Sequence, residues 1–144
     1  MTIYKHILLP TDFSKPSEYA AARATTLAGH FNAKITVIHV VDYVPPSYAV
    51  PELPRALASE EALVERARNH LTDWIKDHDL QDCNQIVVAG SPKGNIVRTA
   101  RDTAVDLIVM GTHGERGLAR ILGSTTQAVM HDADCDVLAV RADA

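Results

Sequence analysis

Closely spaced glycines in the last third of the chain could form a phosphate site. Residues 106–125 read DLIVMGTHGERGLARILGST, in which an apolar strand stops at Gly111 and Gly114 follows in the loop. The Gly-Ser-Thr sequence at 123–125 then begins another helix. Glycines let backbone N–H groups approach a ligand closely, and a helix N-terminus adds further donors and a favourable dipole. The stretch therefore predicts a phosphate site, although the same glycines would also suit a tight strand-to-helix connection.

A second polar group follows the first predicted strand, where Pro10-Thr11-Asp12 ends an apolar run. In open parallel sheets, ligands bind beyond the carboxyl ends of the strands, at the point where the strand order reverses. If the first and fourth strands are neighbours, Asp12 and the glycine loop face one crevice. Asp12 would then accept hydrogen bonds from ribose hydroxyls or hold a metal ion that carries phosphates. Alternatively, Asp12 caps the helix that begins at Ser14.

Motifs for several other chemistries are missing from the sequence. It contains no Walker A loop, no G-x-G-x-x-G fingerprint, no G-x-S-x-G elbow and no H-E-x-x-H zinc motif. Cys83 and Cys135 lack C-x-x-C spacing and are too few for a disulfide framework. Because no catalytic base or nucleophile stands out, the sequence predicts binding rather than catalysis, and no metal site built from protein ligands alone.

The composition is that of a folded, mildly acidic chain of ordinary domain size. The 144 residues are 47% hydrophobic and carry a formal net charge of −4, which excludes the basic footprint of a nucleic-acid-binding protein. No apolar run approaches the ~18 residues of a membrane span, and the amino terminus lacks the apolar segment of a signal peptide. We therefore expect a single cytoplasmic domain over residues 1–144, with no nucleic-acid partner and no membrane span.

Apolar runs alternating with helical patterns must position these groups. Strands are expected at residues 3–9, 33–41, 85–89, 107–110 and 137–140. Ser14 and Ser91 are each expected to cap a helix, and a long helix is expected from Ser59 to His78. Ser124 with Gln127 has the spacing of a capping box for the last helix. The alternation predicts an α/β fold with a parallel sheet, helices on both faces and right-handed crossovers.

Some finer expectations concern packing and loops. One face of the first helix is expected to consist of Tyr19, Ala22, Thr26 and Leu27. His39, within the second strand, is expected to be a core or strand-end histidine with a satisfied hydrogen bond. The proline-rich residues 42–54 are expected to form a loop, which is either a stiff connection or a lid over a site.

Taken together, these motifs resemble the universal stress protein family. The resemblance rests on four short sequences in the right order: Pro10-Thr11-Asp12-Phe13-Ser14, His39-Val40-Val41-Asp42, Gly90-Ser91-Pro92 and the GTHG…GST stretch before the last strand. It spans essentially the whole chain. It implies a Rossmann-like fold, similar to adenine-nucleotide α-hydrolases, with a five-stranded parallel sheet of order 3-2-1-4-5. It also implies a crevice for ATP or another adenine nucleotide between the first and fourth strands.

The resemblance further implies which residues contact the nucleotide and which form a dimer interface. The glycine pattern of the family falls on Gly111, Gly114, Gly123 and Ser124, with Thr125 adding a phosphate contact through its N–H and His113 lying in the same loop. Pro10, Thr11 and Asp12 would lie against adenine and ribose, the Val40 backbone would read the adenine edge, and Mg²⁺ could accompany the nucleotide near Asp12. A homodimer would pair through the final strand, at Val137, Leu138, Ala139 and Val140. Apolar edge strands of this kind invite pairing.

The leading hypothesis is a cytoplasmic, dimeric stress-response regulator or sensor that binds an adenine nucleotide and is not an enzyme, any ATP hydrolysis being slow and incidental. The phosphates would sit on the N–H groups of Gly114, Ser124 and Thr125, while Arg116 or Arg120 either neutralises their charge or is simply solvated.

The alternative is a nucleotide-free dimeric module for an unidentified protein partner, because the segment between Gly114 and Gly123 is one residue shorter than the family pattern. A flavodoxin-like electron carrier is disfavoured, since the first loop, TDFSKPS, contains a mid-loop Asp and Pro.

Overall fold

Five strands alternate with four helices along the chain. The computed structural model describes residues 3–42, 59–80, 82–113 and 122–141. Its elements are β1 His6–Pro10, α1 Lys15–Phe31, β2 Lys34–Val41, α2 Glu60–Asp77, β3 Asn84–Ala89, α3 Pro92–Asp102, β4 Leu107–Gly111, α4 Ser124–Asp132 and β5 Asp136–Val140. Residues 43–54 of the predicted proline-rich loop and residues 114–121 of the glycine loop lie outside the described ranges.

The strands form one parallel sheet in the order β3-β2-β1-β4-β5. β1 pairs with β2 and β4, β2 pairs with β3, and β4 pairs with β5, all in parallel. The predicted fold class and strand order are therefore confirmed. β3 and β5 are the two edges, and the order reverses between β1 and β4, which is where a ligand crevice is expected.

The core consists of two layers, one on each face of the sheet. Ile7 and Leu9 of β1 join the layer that contains residues of α1 and α2, whereas Leu8 joins the layer that contains residues of α3 and α4. Successive side chains of a strand point to opposite faces, so a strand covered on both sides is apolar throughout. This is why β1 and β4 read as continuous apolar runs rather than as alternating ones.

The amino end of β1 differs from the prediction, because the strand begins at His6 rather than at residue 3. Ile3 is 64% exposed. The N–H groups of Lys5 and His6 donate to the Asp106 carboxylate at 2.9 and 3.0 Å, and the Asp106 N–H donates to the His6 carbonyl at 3.1 Å. The Asp106 side chain thus replaces backbone hydrogen bonds between strands at this point. The apolar pattern of the sequence does not reveal such a contact.

The buried face of α1 is not the face that Tyr19, Ala22, Thr26 and Leu27 share. Ala22 and Thr26 are exposed and Tyr19 and Leu27 are half-buried. The buried positions are instead Pro16, Ser17, Ala20, Ala21 and Ala24. Small residues let a helix backbone approach the sheet closely, so the contact face is the small one rather than the one with the largest side chains.

The longest helix, α2, is amphipathic. The helix was expected from Ser59 to His78, but Ser59 is its N-cap, and the Ser59 hydroxyl accepts a hydrogen bond from the Ala62 N–H. Leu71, Trp74 and Ile75 are buried against β2 and β3. Within the described part of the chain, no helix is both long enough and apolar enough to span a membrane.

A buried histidine links three elements at the amino ends of the strands. His6 is 5% exposed; its Nδ1 lies 3.0 Å from the Thr103 carbonyl oxygen and its Nε2 lies 2.7 Å from the Thr36 hydroxyl. Because a carbonyl only accepts, Nδ1 carries the proton and Nε2 accepts from Thr36. Burial lowers the pKa of His6, against the opposing effect of the Thr103 hydrogen bond.

Folding stability should therefore fall with acid. An unfolded histidine protonates near pH 6.5, whereas folded His6 resists protonation, so its contribution is complete above about pH 6.5. It is lost as the pH falls from there towards the lowered folded pKa. Urea denaturation should give a smaller free energy of unfolding at pH 5.5 than at pH 7.5. The His6→Asn variant should lose about 1–3 kcal/mol at pH 7.5 and show a smaller pH difference.

His30→Asn is the control, because it removes an exposed histidine from the last turn of α1. This control should keep the difference seen in the parent protein. If the free energy of unfolding changes equally between the two pH values in the parent and His6→Asn proteins, His6 is not the source of the acid sensitivity.

Candidate functional site

A cavity of about 660 Å³ opens between the carboxyl ends of β1 and β4. We call it the β1–β4 cavity. The sequence-predicted residues that line it are Pro10, Thr11, Asp12, Val40, Gly111, His113, Gly123, Ser124 and Thr125. Gly114 lies outside the described residues, as do Arg116 and Arg120. The structure therefore brings two strand ends, β2 and a helix start to one place, while their role in binding a ligand stays a prediction.

A smaller cavity of about 330 Å³ lies at the other end of the sheet, near the beginning of β2. Its lining includes Lys34, Asp79 and Cys83. Burial raises the pKa of the half-buried Cys83 thiol, which makes it a poor nucleophile. Since ligands of open parallel sheets bind at the carboxyl ends of strands, the β1–β4 cavity is the stronger candidate.

Asp12 holds the turn between β1 and α1. Its Oδ1 accepts hydrogen bonds from the Ser14 N–H at 3.0 Å, from the Ser17 hydroxyl at 2.7 Å and from the Ser14 hydroxyl. Burial acts to raise the pKa of Asp12, but these hydrogen bonds outweigh it and the net pKa is lowered. Asp12 therefore stays ionised at neutral pH.

This geometry bears on both sequence interpretations of Asp12. Ser14 is the N-cap of α1 but makes no side-chain cap bond, and Asp12 instead binds its N–H and hydroxyl. The structural role thus belongs to one carboxylate oxygen. Oδ2 has no hydrogen bond within the described parts of the chain, and Asp12 lines the cavity.

The amino terminus of α4 supplies donors to the cavity. Gly123 is the N-cap and has no side-chain cap bond, and its N–H donates to the Thr112 carbonyl at 2.7 Å. Ser124, Thr125 and Thr126 are the first three helical residues, whose N–H groups have no carbonyl partner within a helix. An uncapped helix start of this kind binds anions through its N–H groups and dipole.

The predicted capping box of this helix is wrong. The helix begins at Ser124, so Ser124 is its first residue rather than its cap. The Gln127 side chain donates to the Leu122 carbonyl at 2.9 Å instead of reaching back to a capping residue. The Ser-x-x-Gln spacing was present, but the preceding glycine took the N-cap position.

Gly111 has a packing role that its place in a glycine pattern does not reveal. A Cβ added there would lie 2.8 Å from Pro16 Cβ and 3.1 Å from the Pro16 backbone. The end of β4 therefore lies directly against the first turn of α1. The Gly111 carbonyl also accepts a hydrogen bond from the Thr126 hydroxyl at 2.8 Å, which fixes α4 to the same strand end.

Residues that sequence reasoning did not assign to the site form an apolar wall. Pro92 and Ile96 of α3 and Met110 of β4 line the cavity beside Val40. Ser91-Pro92 was recognised only as a helix start, and the Ser91 hydroxyl does accept from the Gly94 N–H. The available signal was the place of this helix start, directly after β3 and hence beside the end of β2.

His39 also lines the cavity, although the sequence suggested only a structural role. Its Nδ1 lies 2.8 Å from the Thr11 carbonyl oxygen, which confirms the expected hydrogen bond. Burial lowers the pKa of His39, although the Thr11 carbonyl and the Asp12 charge oppose the shift. A neutral His39 therefore fixes the backbone of Thr11 at the cavity rim.

The lining carries carboxylates rather than cations. Asp12 and Asp42 are its charged side chains within the described ranges, which contribute no lysine or arginine to it. In the same ranges no three His, Cys, Asp or Glu side chains are grouped as metal ligands would be. Among the described lining residues, an anionic ligand would therefore meet backbone N–H groups, hydroxyls and imidazoles rather than lysine or arginine side chains.

The close contact at Gly111 gives a stability prediction. Gly111→Ala should lower the free energy of unfolding by about 1–3 kcal/mol, because Pro16 is backbone-fixed and cannot move aside. Gly29→Ala is the matched control: Gly29 lies within α1, and an added Cβ meets nothing within 4 Å. That variant should be more stable by about 0.5–1 kcal/mol, since alanine favours the helix. Chemical denaturation of the three proteins decides, and an unchanged Gly111→Ala protein would contradict the packing role.

Comparison with known proteins identifies a family. A sequence model of the universal stress protein family matches residues 3–141. The chain is similar to universal stress protein A homolog 1 of Coxiella burnetii, at 36% identity over 138 residues that cover 95% of this chain and 96% of that protein.

Solved structures show the same similarity. The structure of UspA from Lactobacillus plantarum aligns with a TM-score of 0.80 and 29% identity over 96% of this chain and 98% of that one. A universal stress protein in complex with cAMP aligns with a TM-score of 0.64 and 28% identity over 97% and 98% of the two chains.

Proposed function

The chain belongs to the universal stress protein family, and we propose that it binds an adenine nucleotide, ATP, ADP or AMP, in the β1–β4 cavity. It would act as a cytoplasmic, homodimeric stress-response regulator or sensor. The observation that carries the proposal is the meeting of the Asp12 turn with the uncapped start of α4 in one cavity. A similar structure that contains cAMP supports an adenine ligand.

In this proposal each part of the nucleotide contacts a different wall of the cavity. The phosphates lie at the N–H groups of Ser124 and Thr125, which have no helical partner. Oδ2 of Asp12 faces the ribose hydroxyls or a Mg²⁺ ion carried by the phosphates. The base lies at the end of β2, where the Val40 backbone reads its edge and Pro92 and Ile96 cover its apolar face.

We propose binding without a dedicated catalytic step. Oδ1 of Asp12 is occupied by Ser14 and Ser17, and Nδ1 of His39 donates to the Thr11 carbonyl. Both atoms are therefore already engaged by the fold. Any ATP hydrolysis would be slow and incidental.

The proposed phosphate contact can be removed one donor at a time. Proline is well tolerated at the first helical position, and Gly123 has a ψ of 156° that suits a following proline. Ser124→Pro therefore deletes one N–H while keeping the helix, and should weaken nucleotide binding about tenfold or more, as expected for a charge-assisted hydrogen bond. Ser124→Ala keeps the N–H and should stay within about twofold of the parent protein.

Calorimetric titration with AMP, and with ATP in the presence and absence of Mg²⁺, measures these affinities, and the thermal midpoint monitors the fold. Equal affinity in the Ser124→Pro and parent proteins would rule out the helix terminus as the phosphate site. If the parent protein binds none of these nucleotides at millimolar concentration, the proposal fails and the nucleotide-free interaction module remains.

The homodimer is proposed to form through β5, which lies at an edge of the sheet. Val137, Leu138 and Ala139 are half-buried in the single chain, so part of each is free to contact a partner. Val140, however, is 3% exposed and packs in the core beside α1. Its part in an interface is therefore limited to its backbone.

Charge at this edge should break the dimer. Ala139→Lys places two like charges near each other across a two-fold axis and should shift the molar mass in light scattering towards that of the monomer. Ala89→Lys is the matched control, since Ala89 is a half-buried alanine near the end of the opposite edge strand, β3. It should leave the dimer intact. If light scattering gives Ala139→Lys and Ala89→Lys the same molar mass, the dimer does not form through β5.

A further inference from the structure

Phe13 has a backbone conformation that phenylalanine rarely adopts. It follows Asp12 in the turn and has a φ of 65°. In this region Cβ approaches the neighbouring carbonyl, so glycine and asparagine are the residues that usually occupy it. A bulky aromatic residue remains there only if its surroundings hold it in place.

Two histidines hold the Phe13 ring between them. The ring of His39, from β2, lies 4.4 Å from it at an interplanar angle of 31°. The ring of His70, from α2, lies on it at 3.8 Å and 19°. Trp74, one turn further along α2, adds an edge contact at 6.2 Å. We call His39, Phe13 and His70 the aromatic stack.

The aromatic stack is joined to the cavity through Thr11. The Phe13 N–H donates to the Thr11 hydroxyl at 3.0 Å, and His39 Nδ1 donates to the Thr11 carbonyl at 2.8 Å. Thr11 and Asp12 line the β1–β4 cavity, whereas none of the described lining residues belongs to α2. A movement of the Phe13 ring would therefore be transmitted to Thr11 and Asp12.

α2 can serve as a support because Leu71, Trp74 and Ile75 bury the same half of the helix in the core. The imidazole of His78 lies against the Trp74 ring at 4.3 Å, and its Nδ1 lies 2.7 Å from the Trp74 carbonyl oxygen. His78 Nε2 lies 3.8 Å from Glu18 Oε1 of α1. His78, at the carboxyl end of α2, thus lies beside α1, whereas His70 brings α2 to the turn.

We propose that Phe13 and His70 are positioning residues for the β1–β4 cavity: the stack of Phe13 on His70 lets α2, which does not touch the ligand, set the conformation of Thr11 and Asp12. As a statement about affinity this rests on the proposed nucleotide binding. As a statement about the turn it does not, because the conformation of the turn can be measured without a ligand.

Three variants at the surface of α2 test the proposal. His70→Ala removes the stacked ring from an exposed position, and His70→Phe restores an aromatic ring. Asn69→Ala is the matched control, because Asn69 is the exposed neighbour of His70 on the same helix. AMP affinity is measured by calorimetry, the amide ¹H–¹⁵N shifts of Thr11, Asp12 and Phe13 by NMR, and the fold by thermal midpoint.

His70→Ala should weaken AMP binding by about three- to tenfold, the equivalent of one aromatic pair, and should shift the three amides. His70→Phe should bring both readouts back towards those of the parent protein, and Asn69→Ala should change neither. The proposal is overturned if His70→Ala leaves the amide shifts unchanged, or if His70→Phe behaves like His70→Ala. If the parent protein does not bind AMP, the nucleotide proposal fails while the amide shifts still decide the positioning role.

Discussion

The pairing of β1 with β4 is the contact on which the candidate site depends. It contains two registered pairs, Ile7 with Leu107 and Leu8 with Ile108, whereas every other strand pair contains at least five. The Asp106 carboxylate strengthens it at the amino end by binding the N–H groups of Lys5 and His6. Because the pairs end at Leu8 and Ile108, the last residues of both strands carry no such pair, and the cavity opens between them.

Most of the fold could be predicted from the sequence because its signal is distributed over many residues. Five apolar runs, alternating with helical patterns, allow few arrangements, and burial on both faces explains why β1 and β4 are apolar throughout. The strand order came from the family resemblance, since apolar pattern alone does not tell which strands are neighbours. The predicted site residues gathered at one cavity for the same reason: once the order is set, the carboxyl ends of β1 and β4 meet at one edge.

The parts that could not be predicted depend on single contacts between distant segments. The buried face of α1 is a row of small residues because Pro16 lies against Gly111, almost a hundred positions later, and nothing local to the helix shows this. The apolar wall at Pro92 and Ile96 follows from α3 starting beside the end of β2. The failed capping box has a different cause, since Gly123 and Ser124 were both suitable caps and only the position of the helix start distinguished them.

The two halves of the candidate site differ in what they say about a ligand. Asp12 and Gly111 are each required by the fold, one to bind the Ser14 and Ser17 hydroxyls and the other to admit Pro16, so both residue types would be needed even without a nucleotide. The start of α4 is different, because Gly123 leaves the helix without a side-chain cap although serine, threonine or asparagine would satisfy an N–H group there. Relative to glycine, such a cap would stabilise the helix by only about a few tenths of a kcal/mol, but it would occupy a donor at the helix start. Within the described site, the uncapped α4 terminus is therefore where the proposed anionic ligand would find free N–H donors.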